Sequence, residues 1–431
     1  MAATYLKLPN KNHRKQHTTE PHYKYGNTTT LYLHMQLTLT CSLLQLNESN
    51  TMTVLTIFFC GTGSNKFDTT HENFWDGELV STLASNHTGR EFAEWIVVDG
   101  PGSGNLQADD LFTKTEEYGL TGTLFGKGWE ENVRHAINII KGKCDWQREQ
   151  LTEAEYNRLK AAGIPIEDVK IEGSWLWRKY NYGDRCVTQQ KLQEQIIKTF
   201  RKDGVIPTQV NLVGWSRGGI SCHMLANAML NDRELNNIPV NIFALDPVPG
   251  IGNFQDQRVK LGANVKEYVA FYARDERSKG FSCVIPQTAT GTKTSVYPMA
   301  GRHATMAGNA TADGGVPTSS GDLKTLVEPG RIVRHLAETC LKRWGVQLNK
   351  TLNLSETDLL RLTGAIVADE SRYKQMHSIS YTYFTELDQG ERYVSLGSKG
   401  VPFSAVKGSI YAPATGLTTS VLDVAAYRVI G

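Results

Sequence analysis

Short apolar runs recur between residues 53 and 300, the first two closed by glycine-rich turns. The first, TVLTIFFC at 53–60, is apolar on both faces and stops at Gly61-Thr62-Gly63. A run of that kind, too short for a buried helix, predicts an interior strand of a parallel sheet. WIVV at Trp95–Val98 ends at Asp99-Gly100-Pro101-Gly102, and QVNLVG follows at 209–214. VNIFAL at Val240–Leu245 and EYVAFY at 267–272 extend the series, with 295–299 as a further candidate. Between these runs the period changes. In 129–141, Val133, Ala136, Ile137 and Ile140 fall on one helical face. In 187–200, Leu192, Ile196 and Phe200 recur at helical spacing, and a helix-forming stretch, ISCHMLANAML, follows Gly219 to about Leu230. Strand and helix alternating in this way predict an α/β fold, a mostly parallel central sheet flanked by helices.

Three segments depart from the alternation. Residues 1–51 are rich in Thr, Asn and His without a periodic apolar pattern, which predicts a poorly structured extension. Met52, directly before the first strand, is a possible start. Residues 142–185 are charged and carry Trp146, Trp175 and Trp177, and are read as a lid-like insertion in a domain spanning 52–345. Residues 346–431 either complete the core or form an accessory segment.

Composition narrows the partners. The 431 residues carry 46 basic and 44 acidic side chains, a net charge of +2, which gives no support to nucleic-acid binding. No apolar run reaches the roughly 18 residues of a membrane-spanning helix. The stretch 31–46 contains His34, Gln36 and Gln45 and is too polar for a signal peptide, so the expected location is the cytoplasm of the producing cell. The 7 cysteines form no CxxC pair, which disfavours a zinc ribbon or dithiol site and favours buried free thiols. No cofactor and no metal site is expected, and calcium dependence is not readable from the sequence.

The chemistry concentrates at Gly214-Trp215-Ser216-Arg217-Gly218, a G-x-S-x-G pentapeptide. By itself the pattern is weak, but here an apolar strand precedes it and a helix follows. That context predicts a nucleophile elbow, in which Ser216 stands exposed at a sharp strand-to-helix turn. In such folds the acid and then the histidine follow the serine. Asp246, ending Val240–Leu245, is the candidate acid, with Asp275 as its rival. His303 is the candidate base, in a loop of small residues after 295–299, and His377 is its rival, preceding an alternating stretch at 378–384. His335 reads as a helix residue. The oxyanion hole would combine the backbone N–H of Arg217 with the turn Gly61-Thr62-Gly63, whose spacing fits neither phosphate-binding glycine motif.

Taken together, these segments resemble the α/β-hydrolase domain of bacterial type VI secretion phospholipase effectors and of its uncharacterised bacterial and fungal relatives. The resemblance rests on Phe58-Phe59-Cys60-Gly61-Thr62-Gly63-Ser64-Asn65, on Val98 to Gly104, on Gly126-Lys127-Gly128-Trp129-Glu130-Glu131-Asn132-Val133 and on Gly214-Trp215-Ser216-Arg217-Gly218-Gly219. Asp275-Glu276-Arg277 and the stretch from Tyr297 to Gly308 carry it further. Cys60 stands where the family usually has aspartate, and Ala304-Thr305 where it has Ser-Asp. The resemblance covers about 53–345 and supports His303 as the base. It implies a phospholipase acting on a membrane surface, carried out by a secretion apparatus without a signal peptide, delivered into a rival cell and neutralised by an immunity protein. Two alternatives remain at this level: an esterase of small soluble esters, and a silent hydrolase scaffold serving binding or delivery.

Overall fold

The long apolar runs become the strands of one sheet. In the computed structural model, the residues described are 53–66, 68–70, 73–100, 129–142, 170–172, 179–181, 206–250, 252–315, 325–380, 386–406, 417 and 423–431. The chain divides after Thr51, and everything described belongs to the unit from Met52 to Gly431. The expected extension over 1–51, the helix at 187–200 and most of the insertion at 142–185 lie outside these residues.

In chain order the unit begins with β1 (Val54–Phe59), helix α1 (Leu79–Ser85), β2 (Trp95–Val98) and α2 (Trp129–Ile140). A small antiparallel pair, β3 (Lys170–Glu172) and β4 (Lys179–Asn181), belongs to the insertion. Then come β5 (Gln209–Trp215), α3 (Arg217–Asn231), β6 (Val240–Leu245), α4 (Asp256–Val259), β7 (Lys260–Leu261) and β8 (Val265–Ala273). Next are β9 (Cys283–Ile285), β10 (Gln287–Thr288) and β11 (Lys293–Met299). The remainder holds α5 (Glu328–Arg343), α6 (Glu356–Ala368), α7 (Glu370–Gln375), β12 (Tyr393–Leu396) and β13 (Lys399–Pro402).

The main sheet has six strands in the order β11-β8-β6-β5-β1-β2, and every pairing in it is parallel. The strand sequence reverses direction between β1 and β5. In open α/β sheets the crevice at the carboxyl ends of the strands flanking such a switch point is where ligands bind.

Alternation along each strand divides the core in two. Leu55, Ile57, Phe59, Leu212, Ile242 and Ala270 face one side, where Trp129, Ala136 and Ile140 of α2 and Ile220, Leu225 and Met229 of α3 cover them. Phe58, Val213, Phe243, Leu245, Val269 and Phe271 face the other, under α1, α5, α6 and α7. The end of the chain joins that second layer through Val424, Tyr427 and Ile430. Strands enclosed on both faces must be apolar throughout, which is why their runs stand out in the sequence.

His377, the rival base, lies in a 3-10 turn, Met376–Ser378, that closes α7, and of the alternating stretch at 378–384 only 378–380 are among the described residues. The described cysteines Cys60, Cys222, Cys283 and Cys340 are buried free thiols.

Candidate active site

The carboxyl ends of β1, β5, β6, β8 and β11 bring the chemistry together. β5 ends at Trp215, and α3 starts at Arg217, so Ser216 alone makes the turn, at φ 60° and ψ −124°. A left-handed φ in a non-glycine residue carries roughly 1–3 kcal/mol of strain, and such strain concentrates at functional positions. The two glycines of the pentapeptide make the turn possible. A side chain at Gly214 would stand 2.3 Å from the Gly218 carbonyl oxygen, and one at Gly218 would stand 2.2 Å from that of Phe59. The turn is held by Ser216 N–H donating to the Leu245 carbonyl at 2.9 Å and by Val248 N–H donating to that of Ser216 at 3.1 Å.

Asp246 ends β6 one strand over and also has a positive φ, 41°. His303 opens a 3-10 turn, His303–Ala307, just after β11. Its Nδ1 lies 2.6 Å from Asp246 Oδ2, both side chains almost wholly buried. With Nδ1 committed to the carboxylate, Nε2 is the nitrogen left for proton transfer. The imidazole lies between Trp215, the residue before Ser216, at 5.3 Å between ring centroids, and Phe281 at 4.8 Å. Trp215 Nε1–H also donates to the His303 carbonyl at 3.3 Å. Ser216, expected to stand exposed, is instead buried at 5% exposure, as are His303 at 3% and Asp246 at 0%, because the flanking turns close over the sheet edge.

The loop carrying His303 is fixed from beneath. Glu276, fully buried, accepts from Arg302 Nε and Nη2, each at 3.3 Å, and from the backbone N–H of His303 at 3.3 Å. Burial pushes the Glu276 carboxyl up, but Arg302 and Arg392 outweigh it and hold it below the usual range. Asp275 next to it accepts from Gly301 N–H at 2.8 Å and faces His377 Nε2 at 2.8 Å. Asp275 is therefore partnered with His377, and Asp246 with His303. Residues 275–277 form the buried frame under the histidine loop.

On the other side of Ser216, Arg217 is the first residue of α3, where backbone N–H groups have no helical acceptor. Its side chain donates from Nη1 to Thr62 Oγ1 at 2.7 Å, tying the start of α3 to the turn Gly61-Thr62-Gly63 after β1. The two predicted oxyanion segments thus meet across the switch point.

No family model matches the sequence, and no curated protein matches it. Solved structures show a distant likeness, two of them as follows. One, an uncharacterized protein from Pseudomonas aeruginosa, is 11% identical with a TM-score of 0.41, over 82% of this chain and 56% of that one. Another, the Tle1 effector bound to the VgrG spike from the type 6 secretion system, is 12% identical with a TM-score of 0.28, over 62% of this chain and 52% of that one. This chain therefore spans little more than half the length of each.

The sequence did not point to Arg392. Its guanidinium is 2% exposed and meets Asp246 with both terminal nitrogens, Nη1 to Oδ1 at 2.6 Å and Nη2 to Oδ2 at 2.9 Å. Burial pushes the Asp246 carboxyl up, but Arg392 and His303 overcome it and hold it below its ordinary range. Arg392 sits in a segment without any motif, 146 residues from its partner, so no local signal marks it. Among the described residues no three His, Cys, Asp or Glu side chains converge as a metal-binding group, and no helix is long and apolar enough to cross a membrane.

Proposed function

We propose that the protein is a serine hydrolase of carboxylic esters, with Ser216 as nucleophile, His303 as general base and Asp246 as the acid that orients the imidazole. The observation carrying this reading is the short Asp246–His303 contact on the same sheet edge as a serine held at positive φ. In the reaction, Ser216 Oγ attacks the ester carbonyl carbon and its proton passes to His303 Nε2. Charge that develops on the carbonyl oxygen is met by backbone N–H groups of Arg217 and of the turn Gly61-Thr62-Gly63. Collapse breaks the ester C–O bond, and the departing alkoxide takes the proton from Nε2, leaving an acyl group on Ser216. Water, deprotonated by the same nitrogen, then releases the carboxylic acid and restores the serine.

The substrate class we assign is a lipid ester, a phospholipid at a membrane surface, and the setting an antibacterial effector passed to a secretion carrier and opposed by an immunity protein. These finer assignments rest on the motif resemblance, from the turn at Gly61 to the stretch around His303. Incubation of the pure protein with a fluorophosphonate probe and with phospholipid vesicles tests both levels, wild type against Ser216→Ala. Labelling and fatty-acid release should both vanish in the variant, with turnover down by several orders of magnitude and the circular dichroism spectrum unchanged. A folded Ser216→Ala protein that keeps most of the activity removes the nucleophile. Labelling without release from vesicles, but with cleavage of a soluble nitrophenyl ester, removes the lipid assignment alone.

A further inference from the structure

The site's acid is held by a residue from the far end of the chain. Asp246 offers two oxygens and both are doubly engaged. Oδ1 accepts from Arg392 Nη1 at 2.6 Å and from Ala273 N–H at 3.1 Å, and Oδ2 accepts from Arg392 Nη2 at 2.9 Å and from His303 Nδ1 at 2.6 Å. The guanidinium is fixed in turn, since Nη1 donates to the Ala273 carbonyl and Nη2 to the Phe281 carbonyl, each at 2.7 Å. Phe403 lies against it, 5.6 Å from ring centroid to guanidinium carbon. Arg392 directly precedes β12, which adds to β9 in parallel beside the residues that wall the imidazole.

We infer that Arg392 is a positioning residue: its planar fork fixes the Asp246 carboxylate in the one orientation that presents Oδ2 to His303 Nδ1, so the segment beyond 345 completes the catalytic geometry. This rests on the hydrolase reading above. Without Arg392 the carboxylate would keep only the single bonds from His303 Nδ1 and the Ala273 N–H, which leave it freer to turn about its Cβ–Cγ bond, and the imidazole would turn with it. A paired fork removes that freedom, as a lysine ammonium cannot. The cation also stands beside a pair that must stay deprotonated at one nitrogen to act. The other ionisable groups around Asp246 and Arg392 are Glu276, Arg277, Cys283, Tyr268 and Tyr272. Among these, Glu276 and Arg277 oppose each other in sign.

The test uses the full chain, a soluble nitrophenyl ester and a pH range on both sides of neutrality. Arg392→Gln should lower kcat by about 10²-fold, the scale expected for misplaced catalytic groups, with KM almost unchanged. The acid limb of kcat/KM should move to higher pH, because a cation has been removed from beside the pair. Arg392→Lys should leave that limb near its wild-type position while recovering only part of kcat. A folded Arg392→Gln with wild-type kcat and pH profile overturns the inference. If that variant fails to fold, Arg392→Lys decides: reduced kcat in a native fold supports positioning, and unaltered kcat overturns it. Failure of Arg392→Lys to fold also overturns it, since it would assign the residue to folding. The two readings separate at the wild type. Without turnover abolished by Ser216→Ala the hydrolase reading falls, whereas such turnover combined with indifference to Arg392 sinks only the positioning role.

Discussion

Two aspartate–histidine pairs lie within one frame, and their details separate them. His303 gives Nδ1 to Asp246, is almost wholly buried and packs against Trp215 beside the serine. His377 is 31% exposed and commits Nε2, which lies 2.8 Å from Asp275 Oδ1 and 3.2 Å from Arg277 Nη2. One ring nitrogen cannot donate to the carboxylate and accept from the guanidinium at once, so this pair has competing partners and belongs to the frame under the loop. His303→Ala should therefore abolish turnover of a soluble ester in a folded protein, whereas His377→Ala should keep activity within about tenfold. The opposite pattern, with His377→Ala folded and dead, would make the burial and pairing at His303 incidental. The residues of this site were readable to different degrees for physical reasons. Ser216 is announced by spacing, because close backbone approach demands glycine two positions to either side. Asp246 and His303 are announced by chain order and by the ends of strong strands. Arg392 is announced by nothing, since a buried guanidinium is recognisable only once the carboxylate it neutralises is known.

The same contrast holds for whole elements. The strands of the main sheet showed in the sequence because burial on both faces gives each a run of apolar residues, even where polar residues start or interrupt it, as Lys293 to Ser295 do in β11. The strands β7, β9, β10, β12 and β13 are two to four residues long and carry no such pattern. Helix α1 was also missed, being seven residues long and capped by Glu78, whose carboxylate accepts from Val80 N–H at 3.1 Å and Ser81 N–H at 2.9 Å. That cap has an electrostatic cost. Burial pushes the Glu78 carboxyl up to about 7, and burial does the same to Asp99 at the end of β2. Asp99 accepts from Lys66 N–H at 3.0 Å through Oδ1, while its buried Oδ2 has no partner among the described residues. A carboxyl raised in the folded state contributes stability that is complete below its unfolded value, near 4, and is lost as pH rises through about 7. Asp246, Asp275, Glu276 and Glu267 act in the reverse sense, each held low by cationic partners that outweigh burial, and their contribution is lost as pH falls below the ordinary carboxylate range. Stability should accordingly peak in mild acid. Asp99→Asn should remove part of the alkaline loss, raising stability at pH 8 over pH 5.5 by an amount on the order of a few kcal/mol. Denaturant melts at the two pH values measure it, and an equal effect at both would show that Asp99 does not titrate between them.

Over the molecule as a whole, the candidate site depends on chain that lies beyond the last residue of the readable α/β alternation. The sheet and its switch point are complete by Met299, and α5 covers one face soon after. In the sequence, residues 346–431 read either way, as completing the core or as an accessory segment, because their apolar residues are spread over short helices and turns. In the structure, described residues from this segment enter both layers of the core, Val394, Phe403, Val406 and Leu417 the first and a larger group the second. Leu359, Leu362 and Ile366 of α6, Tyr373 of α7, Met376, Val424, Tyr427 and Ile430 are buried against the sheet and α5. Tyr427 packs on Phe271 and Tyr297 at 6.1 and 5.2 Å between ring centroids, and the Ala426 carbonyl accepts from Tyr297 Oη–H at 3.0 Å. Each of those eight side chains contributes roughly 1.5–3 kcal/mol on burial, and together they match or exceed the roughly 5–15 kcal/mol net stability of a typical domain. Removal of Arg392 would add a buried, uncompensated Asp246 charge to that loss. A chain ending at Gly345 should thus fail to give a cooperative thermal transition, and it should bind a dye for exposed apolar surface where the full chain does not. The measurement is calorimetry of the two chains side by side. A sharp transition in the shortened chain, close to that of the intact one, would show that the first 345 residues hold their own core and that the packing of the remainder is peripheral.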